Sequence, residues 1–264
     1  MLEHVESQLE ELGLSSCAEH LGSTLETALN KQWSNLEFLS SLIEHEIFSK
    51  RQRGYDTRLR LAGLPYRKSL AEFDFNFASG VDKRAVTELS SLAFLERASN
   101  VCLLGPPGVG KTHIAVALAM CAIEAGKSVY FTQMAKMTHE LGHNPSTRIL
   151  SKYLKPKLLI LDEIGYRNVD PRAGGLFFDV ISERYERSSI IVTSNKSFGD
   201  WGDLFGDPVL ATAILDRFLH HATVINIKGS SYRLKDRAKQ GTAITPQVSE
   251  AIRSGEVVTE RLVL

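Results

Sequence analysis

Gly105-Pro106-Pro107-Gly108-Val109-Gly110-Lys111-Thr112 decides how this chain is read. It fits G-x-x-x-x-G-K-[ST], the pattern of a loop that wraps a polyphosphate. Successive backbone N–H groups point into such a loop, and only glycine lets a backbone come that close. Lys111 brings a positive charge to the β- and γ-phosphates, and Thr112 offers a hydroxyl to Mg²⁺. His113 stands in the first turn of the helix that follows, whose positive end faces the anion. The expected ATP contacts are therefore Gly105, Pro106, Pro107, Gly108, Val109, Gly110, Lys111, Thr112 and His113. The flanks agree with this reading. Val101–Leu104 is a short apolar strand, and His113–Ala125 is an apolar helical stretch ended by Gly126.

Downstream, Leu158-Leu159-Ile160-Leu161-Asp162-Glu163 is an apolar strand ending in two carboxylates. Asp162 is placed to hold Mg²⁺, with Thr112, and Glu163 to polarise the attacking water as a general base. A simple phosphotransferase has no need of a base in the position of Glu163. Ile190-Ile191-Val192-Thr193-Ser194-Asn195 is a third apolar strand, and its terminal amide can orient that water and reach the γ-phosphate. Arg217 is the candidate for a guanidinium supplied to a neighbouring subunit, and Arg233 for one that touches the nucleotide of its own subunit. Strands at 128–132 and 224–227 and a helix at 175–187 complete an alternation of strand and helix. That alternation predicts a parallel sheet covered on both faces, an α/β fold.

Upstream the charge divides the chain. Residues 1–43 hold seven glutamates against Lys31, with leucines at spacings of three and four, so a small all-α unit is expected, with breaks at Gly13 and Gly22. Residues 50–68 reverse the sign with Lys50, Arg51, Arg53, Arg58, Arg60, Arg67 and Lys68 against Asp56. This stretch reads as a helix end, a turn and a connector, followed by Phe73, Phe75 and Phe77 and a helix from 83 to 98. The expected organisation is a helical N-terminal DNA- or partner-binding domain at 1–68, an ATPase core at 69–240 and a tail at 241–264.

The totals, 31 basic and 31 acidic residues, exclude a basic coat over the whole surface. Cys17, Cys102 and Cys121 lack metal-like spacing and read as inert thiols of a reducing compartment. The longest apolar run, Ile114–Ile123, is too short to span a bilayer, and the first 30 residues lack a signal peptide's apolar core. A cytoplasmic protein is expected.

Taken together, these motifs resemble those of the AAA+ ATPases of the DnaA/DnaC branch. The likeness is closer still to the IstB-type helper ATPases of bacterial insertion sequences. It is carried by Leu59–Pro65, Phe73-Asp74-Phe75, Gly105–His113, Leu158–Tyr166, Leu176-Phe177-Phe178, Ile181–Tyr185, Thr193-Ser194-Asn195, Leu215-Asp216-Arg217 and Ser231-Tyr232-Arg233, across roughly residues 5–237. By this resemblance Lys111 and Thr112 correspond to Walker A, Asp162 and Glu163 to Walker B, Asn195 to sensor 1, Arg217 to the arginine finger and Arg233 to sensor 2. The resemblance implies a Mg²⁺-dependent ATPase that oligomerises with ATP on double-stranded DNA. It further implies target selection and stimulation of a separate DDE transposase, in DNA recombination. A replicative-helicase loader is the alternative within the same branch. Only about 30 residues follow Arg233, so the helical lid usual after such cores is expected to be reduced or absent.

The run from Lys50 to Lys68 can neutralise DNA phosphates without reading bases, which implies salt-sensitive, largely sequence-independent binding. Arg148 and Lys152 share one face if 146–153 is helical, and they are the candidate DNA contacts of the core.

Overall fold

The computed structural model describes residues 1–232 except 79, 144, 145, 167 and 230. Arg233, the tail at 241–264 and any lid lie outside the described residues. The chain divides into two compact units, Met1–Arg60 and a second beginning at Leu61.

The first unit is helical: α1 (Leu2–Glu11), α2 (Ser15–Lys31) and α3 (Asn35–Leu61), which runs up to the second unit. Cys17, Leu21 and Leu42 form its core, with Leu9, Leu14 and Phe38 against them. Gly13 does end a helix, at φ +72°. Gly22 does not, because α2 continues through it. Buried Leu21, Thr24 and Ala28 stack along one face of α2, and that packing outweighs the roughly 1 kcal/mol a glycine costs inside a helix. Gly54 likewise lies inside α3, which carries the basic run on as far as Arg60. The Glu46 side chain, 4% exposed, joins α3 to the start of α2. Its Oε2 accepts from Ser16 N at 2.8 Å and Cys17 N at 3.2 Å, and its Oε1 accepts from Arg53 Nη2 at 3.0 Å. Burial works against ionisation of this carboxyl, but the two amide donors and Arg53 outweigh it and hold its pKa below the usual range.

In the second unit, α4 (Lys83–Ser90) and α5 (Ala93–Glu96) replace the single helix expected over 83–98. The break is at Leu92, φ +63°. The remaining elements are β1 (Asn100–Leu104), α6 (Lys111–Glu124), β2 (Val129–Gln133), α7 (Met134–His143), α8 (Thr147–Leu154), β3 (Leu158–Ile164), α9 (Pro171–Arg184), β4 (Ser189–Ser194), α10 (Trp201–Phe205), α11 (Pro208–Leu219) and β5 (Ala222–Asn226). The five strands are parallel in the order β2-β3-β4-β1-β5.

Cys102, Leu159, Leu161, Ile190 and Val192 share one core with Met137, Phe177, Trp201, Phe205 and Phe218 from α7, α9, α10 and α11. The alternate residues Leu158, Ile160 and Ile191 are equally buried, on the face that α6 covers. Ile114–Ala119, Ala122 and Ile123 of α6 are buried on all sides of that helix, as a helix apolar all round must be. Burial pushes the Cys102 thiol up to about 12 and raises Cys121, which suits inert core thiols. Among the described residues no helix is long and apolar enough to cross a membrane.

Candidate functional site

The strand order sets the site. β1 lies between β4 and β5, so the chain leaves β1, crosses to the far edge at β2, and returns through β3 and β4. Open parallel sheets bind ligands where the order reverses, beyond the carboxyl ends of the strands. Gly105–Gly110 follows β1 at that place.

The glycines there answer to the protein's own chain as much as to a ligand. Gly105 sits at φ +152°, and a Cβ on it would lie 2.3 Å from Ile227 O; Gly108, at φ +83°, would meet Ser231 Oγ at 2.1 Å. The loop is clasped by the strand end beyond β5, with Ile227 N donating to Leu104 O at 2.7 Å and Tyr232 N to Gly108 O at 2.9 Å. The Lys111 ammonium lies inside the loop and donates to Gly105 O at 2.6 Å and Pro106 O at 2.8 Å.

Thr112 at the start of α6 reaches β3. Its hydroxyl donates to Asp162 Oδ1 at 2.9 Å. The Thr193 hydroxyl on β4 donates to the same Oδ1 at 2.5 Å and accepts from Glu163 N at 3.0 Å. Glu163 is held at φ +63°, in the left-handed region, at a cost of order 1–3 kcal/mol for a residue with a Cβ. The β3–β4 register shifts between Leu161 and Ile164 as a consequence, a bulge of the kind found beside active sites. The bulge turns Glu163 toward the cleft, where Gln133 Nε2 donates to Glu163 Oε2 at 2.9 Å. Asn195 follows β4, and its buried Oδ1 has no hydrogen-bond partner among the described residues.

Gly108–His113, Glu163 and Thr193 line a cleft of about 440 Å³ together with Tyr66, Lys68, Glu72, Phe73, Phe77 and Tyr232. The 66–78 segment lies over the loop. His113 Nε2 is 3.0 Å from Ser69 O, and Phe73 packs edge-on to His113. Phe77 packs edge-on to Tyr232. The cleft thus combines an anion-binding loop with aromatic walls, as a nucleoside polyphosphate needs. One carboxylate and two hydroxyls form an all-oxygen donor set that fits Mg²⁺, which keeps several waters and takes phosphate oxygens. Thr112 and Asp162 are the residues that would hold it.

The other expected site residues are distributed as follows. Arg217 lies in the last turn of α11 with its guanidinium 4.5 Å from the Phe178 ring centroid, away from the cleft lining. Lys50, Arg51, Arg53, Arg58 and Arg60 lie on α3 in the first unit, while Arg67 and Lys68 belong to the second. Lys50 and Arg53 are paired with Glu46, and Lys68 with Glu72 at 2.8 Å beside the phosphate loop. Arg148 and Lys152 do share α8, but Lys152 is bound to Glu140 at 2.8 Å. Gln133 and the aromatic segment 66–78 are additions that the motif spacing gave no reason to choose, although Phe73-Asp74-Phe75 stood in the resemblance.

The family described as IstB-like ATP binding protein matches residues 7–240. The chain is 46% identical to the IS21 insertion-sequence ATP-binding protein of Pseudomonas aeruginosa, over 97% of this chain and 99% of that one. It is 43% identical to the IS5376 insertion-sequence ATP-binding protein of Geobacillus stearothermophilus, over 91% and 97%. Among solved structures it is similar to DnaI, with a TM-score of 0.52 at 22% identity over 62% of this chain and 90% of that one. It is also similar to AMPPCP-bound DnaA from Aquifex aeolicus, with a TM-score of 0.50 at 19% identity over 72% and 61%. These two likenesses show a shared fold.

Proposed function

The chain belongs to the IstB-like family of ATP-binding proteins, and from that premise we propose that it is a Mg²⁺-dependent ATPase that assembles on double-stranded DNA and assists a separate transposase. The observation that carries the proposal is the bonded set Thr112–Asp162–Thr193–Glu163 at the mouth of a phosphate-binding loop. The set supplies a metal-holding pair and a base one residue apart, which hydrolysis needs and nucleotide storage does not.

In this reading Lys111 leaves the loop carbonyls for the β- and γ-phosphates, and the loop amides take up the remaining charge. Thr112 and Asp162 would hold Mg²⁺, which would supply positive charge to the same phosphates. Glu163 accepts a proton from a water as that water's oxygen bonds to the γ-phosphorus and the bridging oxygen leaves with ADP. Gln133 holds Glu163 in place, and Asn195 orients the water by accepting from it at Oδ1, or contacts the γ-phosphate by donating from Nδ2. Arg217, set apart from its own cleft, acts on the cleft of a neighbouring subunit, which makes turnover depend on assembly. Arg233 completes the site of its own subunit. Residues 1–68 reach DNA or the partner, with Lys50, Arg51, Arg53, Arg58, Arg60, Arg67 and Lys68 neutralising phosphates. Arg148 and Lys152 are secondary DNA contacts. The protein works in the cytoplasm, where the insertion sequence and its transposase meet the chromosome.

The test is phosphate release by the purified full chain with Mg²⁺ and ATP, with and without duplex DNA. Turnover that DNA raises and Lys111→Ala abolishes supports the proposal. An absence of turnover in both conditions overturns it. Capture of a transposase from extract supports the helper role, and capture of a hexameric helicase would replace it with loading.

A further inference from the structure

Away from the nucleotide cleft, the described residues gather imidazole and carboxylate donors at one place. Glu186 lies in the turn between α9 and β4, and His220 and His221 join α11 to β5. One ligand atom from each of the three lies within 4.8 Å of the others. β4 and β5 begin here, so this is the end of the parallel sheet opposite to the phosphate loop.

We propose that Glu186, His220 and His221 form a surface site for a Zn²⁺-class transition ion. The donors argue for the class of metal. Two imidazoles and one carboxylate suit zinc and its neighbours, whereas Mg²⁺ prefers oxygen alone. The spacing agrees. Ligands at about 2.0–2.1 Å on a tetrahedral ion stand about 3.4 Å apart, and His221 Nε2 lies 3.4 Å from Glu186 Oε1. The backbone holds the three in place. Glu186 is fixed at φ +57° in a turn where Arg187 N and Ser188 N both donate to Arg184 O. His221 O accepts from Asn100 N at 2.7 Å, and His220 N donates to Asp216 O at 3.1 Å.

Tyr185 supplies the outer layer. Its Oη is 2.6 Å from His220 Nδ1. With the proton on Nδ1, this ring donates to Tyr185 and keeps the lone pair of Nε2 for a metal, the arrangement that orients histidine ligands in known sites. All three ligands are exposed, so an ion enters from solvent and a water completes the fourth position. Bound there, the ion joins the α9–β4 turn to the end of α11, the helix that carries Arg217. Two other histidine pairs, His20 with His45 and His139 with His143, are stacked with ring centroids 4.4 and 4.1 Å apart. Neither is part of a three-donor group among the described residues, and His139 and His143 serve as the control.

The experiment is Zn²⁺ titration of the metal-free full chain against a chromophoric chelator, with millimolar Mg²⁺ present throughout. One equivalent should bind. The affinity should fall at least about tenfold in His220→Ala, in His221→Ala and in Glu186→Gln, and should hold in His139→Ala/His143→Ala. Zn²⁺ should also raise the melting temperature of the parent but not of His220→Ala/His221→Ala. The His→Gln variants repeat the titration with less disturbance of the fold. No saturable binding, or binding that survives the double substitution unchanged, overturns the proposal. Because ATP turnover with Mg²⁺ alone does not involve these residues, either result leaves the ATPase reading standing or falling on its own test.

Discussion

Asn100, at the start of β1, uses both ends of its amide: Nδ2 donates to Phe218 O at 2.9 Å and Oδ1 accepts from Ile190 N at 2.9 Å. Asn195, just past the end of β4, keeps a buried Oδ1 with no partner among the described residues. The contrast extends across the sheet. Where the strands begin, Arg184 is 1% exposed and its guanidinium ties four carbonyls: Tyr153, Leu154 and Pro156 by Nη1, and Ser189 by Nη2. Where they finish, Glu163 is strained, Lys111 rests on loop carbonyls, and a bulge interrupts the ladder. A buried polar group is costly unless it is paired. At one end Asn100 and the two Nη groups of Arg184 are spent on stability, with Arg184 Nε alone of that guanidinium lacking a partner among the described residues; at the other, Lys111, Glu163 and Asn195 are the groups a ligand can engage, as a binding site must allow.

The sharpest way to break this contrast is Glu163→Gln. Turnover should fall about 10²–10⁴-fold, the usual worth of a general base, while nucleotide retention and melting temperature hold. Equal loss of retention would show that Glu163 is structural after all. Arg184→Met should do the reverse. Burial lowers this guanidinium's pKa to about 10, so it stays charged at neutral pH. Removing it leaves four carbonyls without this donor at about 1–3 kcal/mol each, roughly 4 kcal/mol or more in total. The melting temperature should drop by about 8–16 °C or more, with nucleotide affinity unchanged below the transition. Gln133→Ala lies between these. It frees the Glu163 carboxylate, so turnover should shift by about tenfold, consistent with a lost charge-assisted hydrogen bond of about 1.5 kcal/mol, with no change in melting.

The smallest effect is acid sensitivity at the rim of the cleft. The Lys68 ammonium, then the Ser69 amide, hold the Glu72 carboxyl down to about 2 from an ordinary 4.5. A depressed carboxyl stabilises the fold above its unfolded pKa and loses that contribution as pH falls through the folded one. The 69–72 turn should therefore loosen between about pH 4.5 and 2, visible as a Glu72 side-chain titration by NMR that Lys68→Ala moves upward.

The parallel sheet and the phosphate loop could be read in the sequence because continuous apolar runs such as Leu158–Leu161 and the spacing of Gly105–Thr112 depend on local chemistry alone. Helix α11, which bears Arg217, was not legible in this way. What stayed hidden depends on contacts between distant residues. The positive φ of Glu163 is set by Thr193 on another strand, and Gln133 matters only because β2 pairs with β3 in a register that places it opposite Asp162. The continuity of α2 through Gly22 and the split at Leu92 went against local propensity, since packing decided both. Arg184 reads as one more surface charge until the fold closes over it.

Helix α6 has a further consequence. Since its residues 114–119 are buried all the way round, sliding or rotating it would mean repacking a close-packed interior. That makes it a poor piston for reporting which nucleotide is present. The phosphate loop is instead a fixed anvil, and any movement that follows nucleotide binding falls to the parts that face it: the bulged end of β3 and the aromatic cover of residues 66–78.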